Sequence, residues 1–404
     1  MALNVKVGFI GAFDMLKFKN MASTREKAIQ AAPANEIVSR YKINDNAKAL
    51  HPDYLVLKVA QVIDHPESHS KSFIFERDGG GELPLFRAGQ YLSLKLKIGD
   101  SFVTRPYSIS SSPKWALEGR YAITVRSNPG GFAADYMLDN LKVGDEVISS
   151  APLGEFFYEG LRDCANVVAL TGGSGITPFL SMAYAIRDGF EDFNLTIIYG
   201  NRTVDSILFR DELDGIAKAC DKVKVVHVIS DEQAEGFETG FVTADIVRKY
   251  APETYSLFIC GPGEMYTFLD KEIAKLNLPR RLVRSEMRAV TKTVWEENGY
   301  PQECRDKSFK ITVKLGQEEC TIDASANETV LTALERAGIK APSRCRSGEC
   351  GWCRSKLISG ECFFPAANEG RRHADKVHGY IHPCSCFPVS DLVVEVPGEY
   401  LPKL

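Results

Sequence analysis

Three cysteines near the end of the chain have the spacing of iron–sulfur ligands. Cys345, Cys350 and Cys353 follow a C-x4-C-x2-C pattern, which holds a [2Fe–2S] cluster when a fourth thiolate joins from further along the chain. Cys384 supplies that thiolate, with Cys386 as the rival position. The sequence therefore predicts a cluster that transfers one electron at a time and needs a source of electrons.

Two glycines in this cysteine loop favour the close wrap that a cluster requires. Gly348 and Gly351 carry no Cβ, so the backbone can approach the cluster sulfurs and donate N–H groups to them. Three histidines follow, His373, His378 and His382. Because four thiolates already complete the coordination of two irons, we interpret the histidines as surface or packing residues.

The first half of the chain contains residues suited to a pyrophosphate and a flat ring. An arginine and a tyrosine follow a predicted strand, and a glycine pair opens a helix further on: Arg105-Pro106-Tyr107-Ser108 and Gly130-Gly131-Phe132. The free N–H groups and the dipole of a helix N-terminus favour an anion, and an arginine adds a positive charge. The tyrosine offers a face for a flat ring, although the same residues also occur in purely structural segments.

A glycine turn further along has the position of a nucleotide-binding loop. The apolar strand 166–171 runs into the turn, and the amphipathic helix 179–187 follows it: Thr171-Gly172-Gly173-Ser174-Gly175-Ile176-Thr177-Pro178. In an open parallel sheet, ligands bind beyond the carboxyl ends of the strands. Residues 200–203 and Cys260-Gly261-Pro262 are expected at the same edge. The turn is not a G-x-G-x-x-G fingerprint, so a tight structural turn is the alternative interpretation.

The composition of the whole chain excludes several classes of protein. It has 404 residues and a net charge of −4, which gives no reason to expect a nucleic-acid partner. No apolar run approaches the roughly 20 residues that span a bilayer, and the first 20 residues lack the pattern of a signal peptide. Eleven cysteines then indicate metal ligands and free thiols. We expect a cytoplasmic protein without an integral membrane segment.

The apolar periodicity divides the chain into five parts. Residues 1–50 are a basic extension, with a helix expected after a capping box at Ser23. Residues 51–160 contain short alternating strands and predict an antiparallel β-barrel. Residues 161–290 alternate apolar strands with helices and predict a doubly wound α/β domain. Residues 291–306 are interpreted as a linker, and residues 307–404 as an α+β domain that holds the cysteine loop.

The order of these motifs carries a family resemblance. Arg-Pro-Tyr-Ser, the glycine-started helix, Asp145 with Pro152-Leu153-Gly154-Glu155-Phe156, the glycine turn and Cys-Gly-Pro follow one another along the chain. The chain resembles the ferredoxin–NADP reductase superfamily, joined to a C-terminal plant-type ferredoxin domain. It is similar to reductase components of multicomponent oxygenases of the phenylacetyl-CoA epoxidase reductase type. The resemblance implies a flavin domain, a nicotinamide domain and a β-grasp ferredoxin domain in this order.

The resemblance also implies roles for individual residues. In the flavin site, Arg105 would hold the pyrophosphate, Tyr107 would stack on the isoalloxazine and Ser108 would bond near flavin N5. The residues implied to contact a cofactor are Arg105, Pro106, Tyr107, Ser108, Gly130, Gly131, Phe132, Thr171, Gly172, Gly173, Gly175, Thr177, Arg202, Cys260, Gly261 and Pro262. The implied catalytic group is Ser108, Cys260 and Glu286. Cys384 is favoured over Cys386 because Gly379-Tyr380 and Pro388 match the family's fourth-ligand segment.

Two positions depart from the family pattern. Ala134 stands where relatives commonly have a serine or threonine, which removes one phosphate contact. Met287 follows Glu286 where many relatives carry an aromatic residue, which puts the cover of that flavin face in question.

Together these features predict an electron-transfer enzyme. A nicotinamide delivers a hydride and a [2Fe–2S] cluster accepts one electron, so a flavin must stand between them. We expect hydride transfer from NAD(P)H to FAD, then single electrons through the cluster to an unidentified acceptor protein. FAD is favoured over FMN because the glycine-started helix leaves room for an adenine half. The choice between NADH and NADPH stays open, with Arg202 as a candidate for a 2′-phosphate.

Two further hypotheses concern the acceptor and the class of protein. Arg344, Arg346 and Arg354 crowd the cysteine loop and suggest a docking face for an acidic partner, against a solvated surface as the alternative. The alternative class is a cluster-based redox sensor or interaction protein. Such a sensor predicts negligible steady-state reduction of cytochrome c or ferricyanide by NAD(P)H, whereas an enzyme predicts rapid turnover.

Overall fold

A computed structural model describes residues 21–31, 42–127, 130–399 and 401. The chain divides into two compact units, residues 1–47 and residues 48–404. Two helices come first in the described part of the chain, α1 (Met21–Ala31) and α2 (Lys42–Leu50). The expected helix near Ser23 is present, but it begins at Met21, so the predicted cap at Ser23 is wrong. Met21 and Ala22 are good helix formers and extend the helix past that serine.

Residues 55–149 build an antiparallel barrel. Its strands are β1 (Leu55–His65), β2 (Ser70–Arg77), β3 (Tyr91–Ile98), β4 (Ser101–Ser108), β5 (Arg120–Arg126) and β6 (Glu146–Ser149). Their order is β4-β3-β6-β1-β2-β5, and a bridge between Ile109 and Ile123 brings the two edges together. Helices α3 (Lys114–Leu117) and α4 (Phe132–Asn140) flank β5. Alternate side chains such as Phe73 and Phe75 fill the interior, as the period of a strand requires.

The predicted position of the Arg-Pro-Tyr-Ser segment after a strand is wrong. Arg105-Pro106-Tyr107-Ser108 does not follow a strand but forms the last half of β4. Proline is tolerated there because β4 is an end strand of the sheet, where a missing N–H breaks no ladder on its outer side.

Residues 166–285 form the parallel α/β domain. Its elements are β7 (Asn166–Gly172), α5 (Thr177–Arg187), β8 (Asn194–Asn201), α6 (Arg210–Ala219), β9 (Val223–Ile229), β10 (Glu238–Thr239), α7 (Ala244–Tyr250), β11 (Ser256–Cys260), α8 (Gly263–Ala274) and β12 (Val283–Ser285). The order β10-β9-β8-β7-β11-β12 reverses direction at β7. The doubly wound prediction is confirmed, and the crevice between β7 and β11 is the expected ligand position.

Residues 308–395 form the α+β domain that holds the cysteine loop. Its elements are β13 (Ser308–Leu315), β14 (Glu318–Ser325), α9 (Val330–Arg336), β15 (Ser355–Ser359), β16 (Cys362–Phe363), α10 (His373–Val377), β17 (Tyr380–Ile381), β18 (Phe387–Pro388) and β19 (Leu392–Glu395). The main sheet runs β14-β13-β19-β15-β17. Helix α9 buries Val330, Leu331 and Leu334 in the domain core, so one face of this helix is fixed in place.

The segment 291–306 contains two short 3-10 turns, Val294–Glu296 and Gln302–Cys304. Val294, Tyr300 and Cys304 are buried against Ala326 and Phe387, so the segment packs on the cluster-bearing domain. Within the described ranges, no helix is long and apolar enough to span a bilayer.

Candidate functional site

Four thiols lie close together in the α+β domain. Three of them, Cys345, Cys350 and Cys353, are in the loop between α9 and β15, and Cys384 lies between β17 and β18. Cys345, Cys353 and Cys384 are buried and Cys350 is exposed. The thiol of Cys353 donates to the sulfur of Cys384 at 3.3 Å. Backbone N–H groups point at the sulfurs, with the amides of Ser347 and Cys350 at 3.5 and 3.4 Å from Cys345 Sγ. This donor set fits a cluster whose sulfurs accept backbone hydrogen bonds.

Hydrogen bonds between these thiols shift their pKa values in opposite directions. Hydrogen bonds from Cys350 and Cys384 lower the pKa of the Cys345 thiol, and the same bonds raise the pKa of Cys350 and Cys384. In the described residues, no three His, Cys, Asp or Glu side chains are grouped as ligands of a single metal ion. Such an absence is compatible with a binuclear cluster, in which four thiolates are divided between two irons.

The structure separates Cys386 from the other four thiols. Cys386 is fully buried, and the neighbours that raise its pKa after burial are the hydrogen-bonded thiol of Cys362 and, more weakly, Cys353. Cys384 instead lies in contact with Cys353 and Cys345. The geometry therefore favours Cys384 as the fourth ligand.

Two close approaches keep the loop tight. Gly348 has a φ of +87°, and a Cβ there would overlap the carbonyl oxygen of Asn368 and the hydroxyl of Ser385. His382 is buried, with Nδ1 2.5 Å from the carbonyl oxygen of Gly348. His382 thus packs under the loop, whereas His373 and His378 are exposed.

The candidate flavin residues lie on β4 and at the start of α4. Tyr107 is half-buried, and burial raises its pKa to about 12. Burial and the neighbouring Arg346 lower the pKa of Arg105 to about 10. Helix α4 begins after Gly131 without a side-chain cap, so its first N–H groups face no capping side chain. An uncapped helix start and a half-buried arginine in one barrel fit a bound pyrophosphate.

The candidate nicotinamide residues converge at the crevice between β7 and β11. Thr171 is paired with Cys260 in the sheet register, and its buried hydroxyl has no hydrogen-bond partner. A Cβ at Gly175 would overlap the carbonyl oxygen of Cys260. A Cβ at Gly172 would press on the sulfur of Met265. This backbone cradle with an unsatisfied hydroxyl fits a dinucleotide that approaches the main chain closely.

The other predicted nicotinamide residues border the same crevice. Gly261 and Pro262 follow β11 and lead into α8, and a Cβ at Gly261 would also press on Met265. Thr177 starts α5, and its hydroxyl donates to the carbonyl of Ser174 at 3.0 Å. Arg202 follows the carboxyl end of β8 and is exposed, where a nucleotide phosphate could reach it.

Glu286 follows β12 and lies beside the end of β11. Its backbone N–H donates to the carbonyl of Ile259 at 2.8 Å, and its Oε1 accepts from the amide of Met287 at 3.0 Å. The other oxygen, Oε2, is buried without a hydrogen-bond partner. Burial raises the pKa of Glu286 to about 7, and the charge of Glu349 adds to this shift. The carboxyl group also helps to raise the pKa of Cys260, after burial.

Tyr91 interacts with all three regions, and it is a residue that the sequence analysis did not single out. It is the first residue of β3 and is paired with Ser108 across the sheet. It is buried, and the charges of Cys345, Cys350 and Glu286 raise its pKa in addition to burial. Tyr91 therefore belongs to the pair of strands that carries the flavin residues and lies within electrostatic range of the cysteine loop and of Glu286. Only the register of β3 with β4 and the docking of distant segments could reveal the position.

Arg126 is a second residue that the sequence did not single out. It ends β5 of the barrel, and a Cβ on Gly173 of the glycine turn would overlap its guanidinium. The barrel therefore contributes a cation to the edge of the nicotinamide crevice.

The hypothesis that three loop arginines form a docking face does not fit their positions. Arg346 donates to Glu335 at 2.5 Å and its side chain is 15% exposed. Arg344 stacks on the ring of Trp352 at 3.4 Å from the centroid, and burial lowers its pKa. Of the three, Arg354 is exposed, and it pairs with Asp375 at 3.3 Å. Each of the three arginines therefore has an intramolecular partner, and only Arg354 among them is exposed.

Comparison with protein families matches three consecutive parts of the chain. Residues 68–158 match the oxidoreductase FAD-binding domain, residues 169–271 the oxidoreductase NAD-binding domain, and residues 313–389 the 2Fe-2S iron-sulfur cluster binding domain. The predicted set of cofactors, FAD, NAD(P)H and a [2Fe–2S] cluster, is confirmed, as is the order of the domains along the chain.

Curated relatives cover most of the chain. A glycine betaine monooxygenase reductase subunit from Chromohalobacter salexigens is 28% identical over 77% of this chain and 87% of its own length. The ferredoxin reductase component of 3-ketosteroid-9-alpha-monooxygenase from Mycolicibacterium smegmatis is 29% identical over 84% of this chain and 96% of its own. NADH oxidoreductase HCR from Escherichia coli is 27% identical over 76% of this chain and 88% of its own.

A solved structure has the same architecture. Phthalate dioxygenase reductase, described as a modular structure for electron transfer from pyridine nucleotides to [2Fe–2S], is 26% identical. It covers 85% of this chain and 98% of its own, with a TM-score of 0.62. The multidomain fold is confirmed, and the similarities favour an electron-transfer oxidoreductase over a redox sensor.

Proposed function

We propose that this chain, which combines the FAD-binding, NAD-binding and [2Fe–2S] domains found in oxygenase reductase components, passes electrons from NAD(P)H to a partner oxygenase. The observation that carries the proposal is the junction of the three regions around Tyr91, which pairs with Ser108 on the flavin strand. Close by on β3, Ser93 donates to the carbonyl of Arg344 beside the cysteine loop at 2.8 Å. Asn368 donates to the carbonyls of Ser347 in the loop and Arg288 after β12, each at 3.1 Å. Three sites for redox groups that are joined by direct hydrogen bonds suit electron transfer inside a single chain.

The chain's own residues would divide the work of binding and orientation. Arg105 and the start of α4 would hold the flavin phosphates, and Tyr107 would cover the ring. Ser108, at the end of β4, would donate a hydrogen bond to the reacting edge of the flavin. When bound, the flavin accepts two electrons with a hydride and releases them singly, which links a nicotinamide to a one-electron cluster.

The nicotinamide crevice would orient the donor. Gly172, Gly173 and Gly175 would admit the pyrophosphate to the backbone, and the unsatisfied hydroxyl of Thr171 would gain a partner. Burial raises the pKa of the Cys260 thiol, so this residue would act as neutral packing beside the nicotinamide. Glu286, with its pKa raised to about 7, can hold or release a proton near neutral pH.

The cysteine loop would be the outlet. Cys345, Cys350, Cys353 and Cys384 would hold the cluster, with the backbone amides of the loop donating to their sulfurs. A cytoplasmic location is part of this proposal, because a reducing compartment keeps such thiols available for iron. All eleven cysteines are free in the structure.

Anaerobic rapid mixing of the purified protein with NADH or NADPH tests the proposal. We expect bleaching of the flavin absorbance, then the electron paramagnetic resonance signal of a reduced [2Fe–2S] cluster, and rapid steady-state reduction of cytochrome c. A flavin that is reduced while the cluster stays oxidised would contradict the proposal. Negligible turnover with both nucleotides and with both electron acceptors, cytochrome c and ferricyanide, would instead favour the alternative of a redox sensor.

A further inference from the structure

A buried carboxylate links the ferredoxin domain to the flavin barrel. Glu335 lies on α9, and its side chain is 5% exposed. Oε1 accepts a hydrogen bond from Arg346 Nη1 at 2.5 Å and from the backbone N–H of Thr104 at 3.4 Å. Oε2 is 3.9 Å from Arg105 Nη1. One side chain therefore contacts the cysteine loop and the strand that carries the candidate flavin residues.

The charges around Glu335 explain why a carboxylate suits this position. Arg105 and Arg346 are 28% and 15% exposed, and they repel each other, since Arg346 lowers the pKa of Arg105. A carboxylate between two partly buried guanidinium groups offsets this repulsion, and it accepts a hydrogen bond from Arg346. If Glu335 lost its charge, two cations would be left facing one another across the domain boundary.

The same contact holds the backbone of the cysteine loop. Arg346 follows the ligand Cys345 and has a φ of +55°, a region that residues other than glycine occupy only where the surroundings impose it. Its guanidinium reaches back to α9, where it bonds Glu335 and lies 3.5 Å from the hydroxyl of Thr332. The salt bridge thus fixes the loop conformation next to a cluster ligand.

We propose that Glu335 is a positioning residue that docks the ferredoxin domain on the flavin barrel and holds the cysteine loop for electron transfer between the two cofactors. This inference rests on the proposed function. It assigns Glu335 to the step between flavin and cluster and not to hydride transfer, because its contacts, Thr104, Arg105 and Arg346, lie on the flavin strand and the cysteine loop and not at the nicotinamide crevice.

The test compares the holoenzyme with its Glu335→Gln variant, which keeps the shape and removes the charge. Rapid mixing with NADH or NADPH, whichever reduces the wild type faster, separates the rate of flavin reduction from the rate of cluster reduction. We expect cluster reduction to slow by about tenfold or more, since small misplacements of reacting groups have effects of this size, while flavin reduction stays within about twofold. Hydrogen–deuterium exchange should increase in residues 101–108 and 344–348.

Glu328→Gln is the matched control. Glu328 lies just before α9 and bonds Arg336 at the end of that helix at 2.7 Å, so its contact stays within the ferredoxin domain. Its loss should change neither rate nor the exchange of residues 101–108. If Glu328→Gln has the same effect as Glu335→Gln, the result reflects general loss of domain stability and overturns the proposal.

A double variant tests whether the charge network is the cause. Glu335→Gln with Arg346→Gln removes the anion and one cation, so the remaining Arg105 faces no second guanidinium. We expect the double variant to lose less than the sum of the two single variants, the signature of directly interacting residues. This variant also keeps the test decisive if Glu335→Gln does not accumulate in folded form.

The outcomes separate the two proposals. If flavin reduction slows as much as cluster reduction, or if neither rate nor exchange changes in Glu335→Gln, the role of Glu335 is refuted. If the wild type does not transfer electrons from flavin to cluster, the proposed function fails. The exchange data then still decide whether Glu335 docks the two domains.

Discussion

Tyr91 and Ser108 lie opposite each other on neighbouring strands, at the point where β3 begins and β4 ends. Tyr91 also exchanges both backbone hydrogen bonds with Leu153, at 2.9 Å each. Its ring packs so closely on Gly154 that a Cβ there would clash with it. The residue implied to contact the flavin is thus held by the barrel in a fixed register with a tyrosine that interacts electrostatically with the cysteine loop.

Replacing Tyr91 should separate packing from electron transfer. Tyr91→Phe keeps the ring, so we expect flavin-to-cluster transfer within about twofold of the wild type. Tyr91→Leu removes the ring from the junction, which should slow that step by about tenfold and destabilise the barrel by roughly 2 kcal/mol. Stopped-flow absorbance and thermal unfolding measure the two effects. Equal rates in the wild type and the leucine variant would show that the junction does not depend on this ring.

Glu286 should give the protein a pH-dependent stability. Its pKa rises from 4.5 to about 7 on folding, so its favourable contribution is complete below pH 4.5 and is lost as the pH rises through 7. The shift corresponds to on the order of 3 kcal/mol. Glu286→Gln, which stays neutral, should therefore gain stability relative to the wild type between pH 5 and pH 8. A difference in Tm that is constant over this range would contradict the raised pKa.

Glu286→Gln and a second variant, Glu286→Ala, test whether Glu286 takes part in proton transfer. If its carboxyl group donates or accepts a proton during hydride transfer, the rate of flavin reduction should change with an apparent pKa near 7 in the wild type. Glu286→Gln should lack this transition, and Glu286→Ala should be slower by about 100-fold, the size of a general acid–base contribution. If Glu286→Ala loses little of its flavin reduction rate, a direct acid–base role is excluded.

The elements that the sequence predicted well are those with a strong apolar period. Strand β7 and helix α5 were expected within one or two residues of their observed bounds, because each buries a continuous or periodic apolar face. Strand β4 was missed in part, since Arg105 and Pro106 interrupt its apolar pattern. Its place in the barrel is fixed by pairing with β3, which no local pattern encodes.

The site was predictable where chemistry fixes residue type and spacing. The four cysteines and the glycine-rich loops could be recognised from residue type and spacing, because thiolates bind iron and a missing Cβ admits a ligand. Arg346 was misread as a surface charge. Its partner Glu335 comes from another element, and only the folded domain shows that this carboxylate is buried between Arg346 and Arg105.

Serine variants should decide between the two rival cysteines. Cys384→Ser removes a thiol that contacts Cys353, so we expect loss of the cluster, measured as iron and acid-labile sulfide and as the visible absorbance. Cys386→Ser is the matched control, because its thiol is buried beside Cys362. It should keep the cluster and lose about 1 kcal/mol of stability. A cluster that survives in Cys384→Ser but not in Cys386→Ser would reverse the assignment.

A second buried ion pair ties the end of the chain to the barrel. Lys95 on β3 pairs with Glu399, and their side chains are 3% and 4% exposed. The hydroxyl of Tyr54 donates to Glu399 at 2.6 Å. Removing one member of a buried pair leaves the other charge uncompensated, which typically costs about 3–5 kcal/mol. We therefore expect Glu399→Gln to lower the Tm strongly and Tyr54→Phe, which removes one hydrogen bond, to cost about 1 kcal/mol.

The double variant Lys95→Met with Glu399→Gln identifies the cause of that loss. When both charges are removed, no unpaired ion is left between β3 and residue 399. The double variant should therefore be more stable than Glu399→Gln alone. Differential scanning calorimetry of the holoenzyme measures the recovery. If the double variant is less stable than Glu399→Gln by the full effect of Lys95→Met, the two side chains act independently. The segment around Glu399 would then be held by packing and not by this pair.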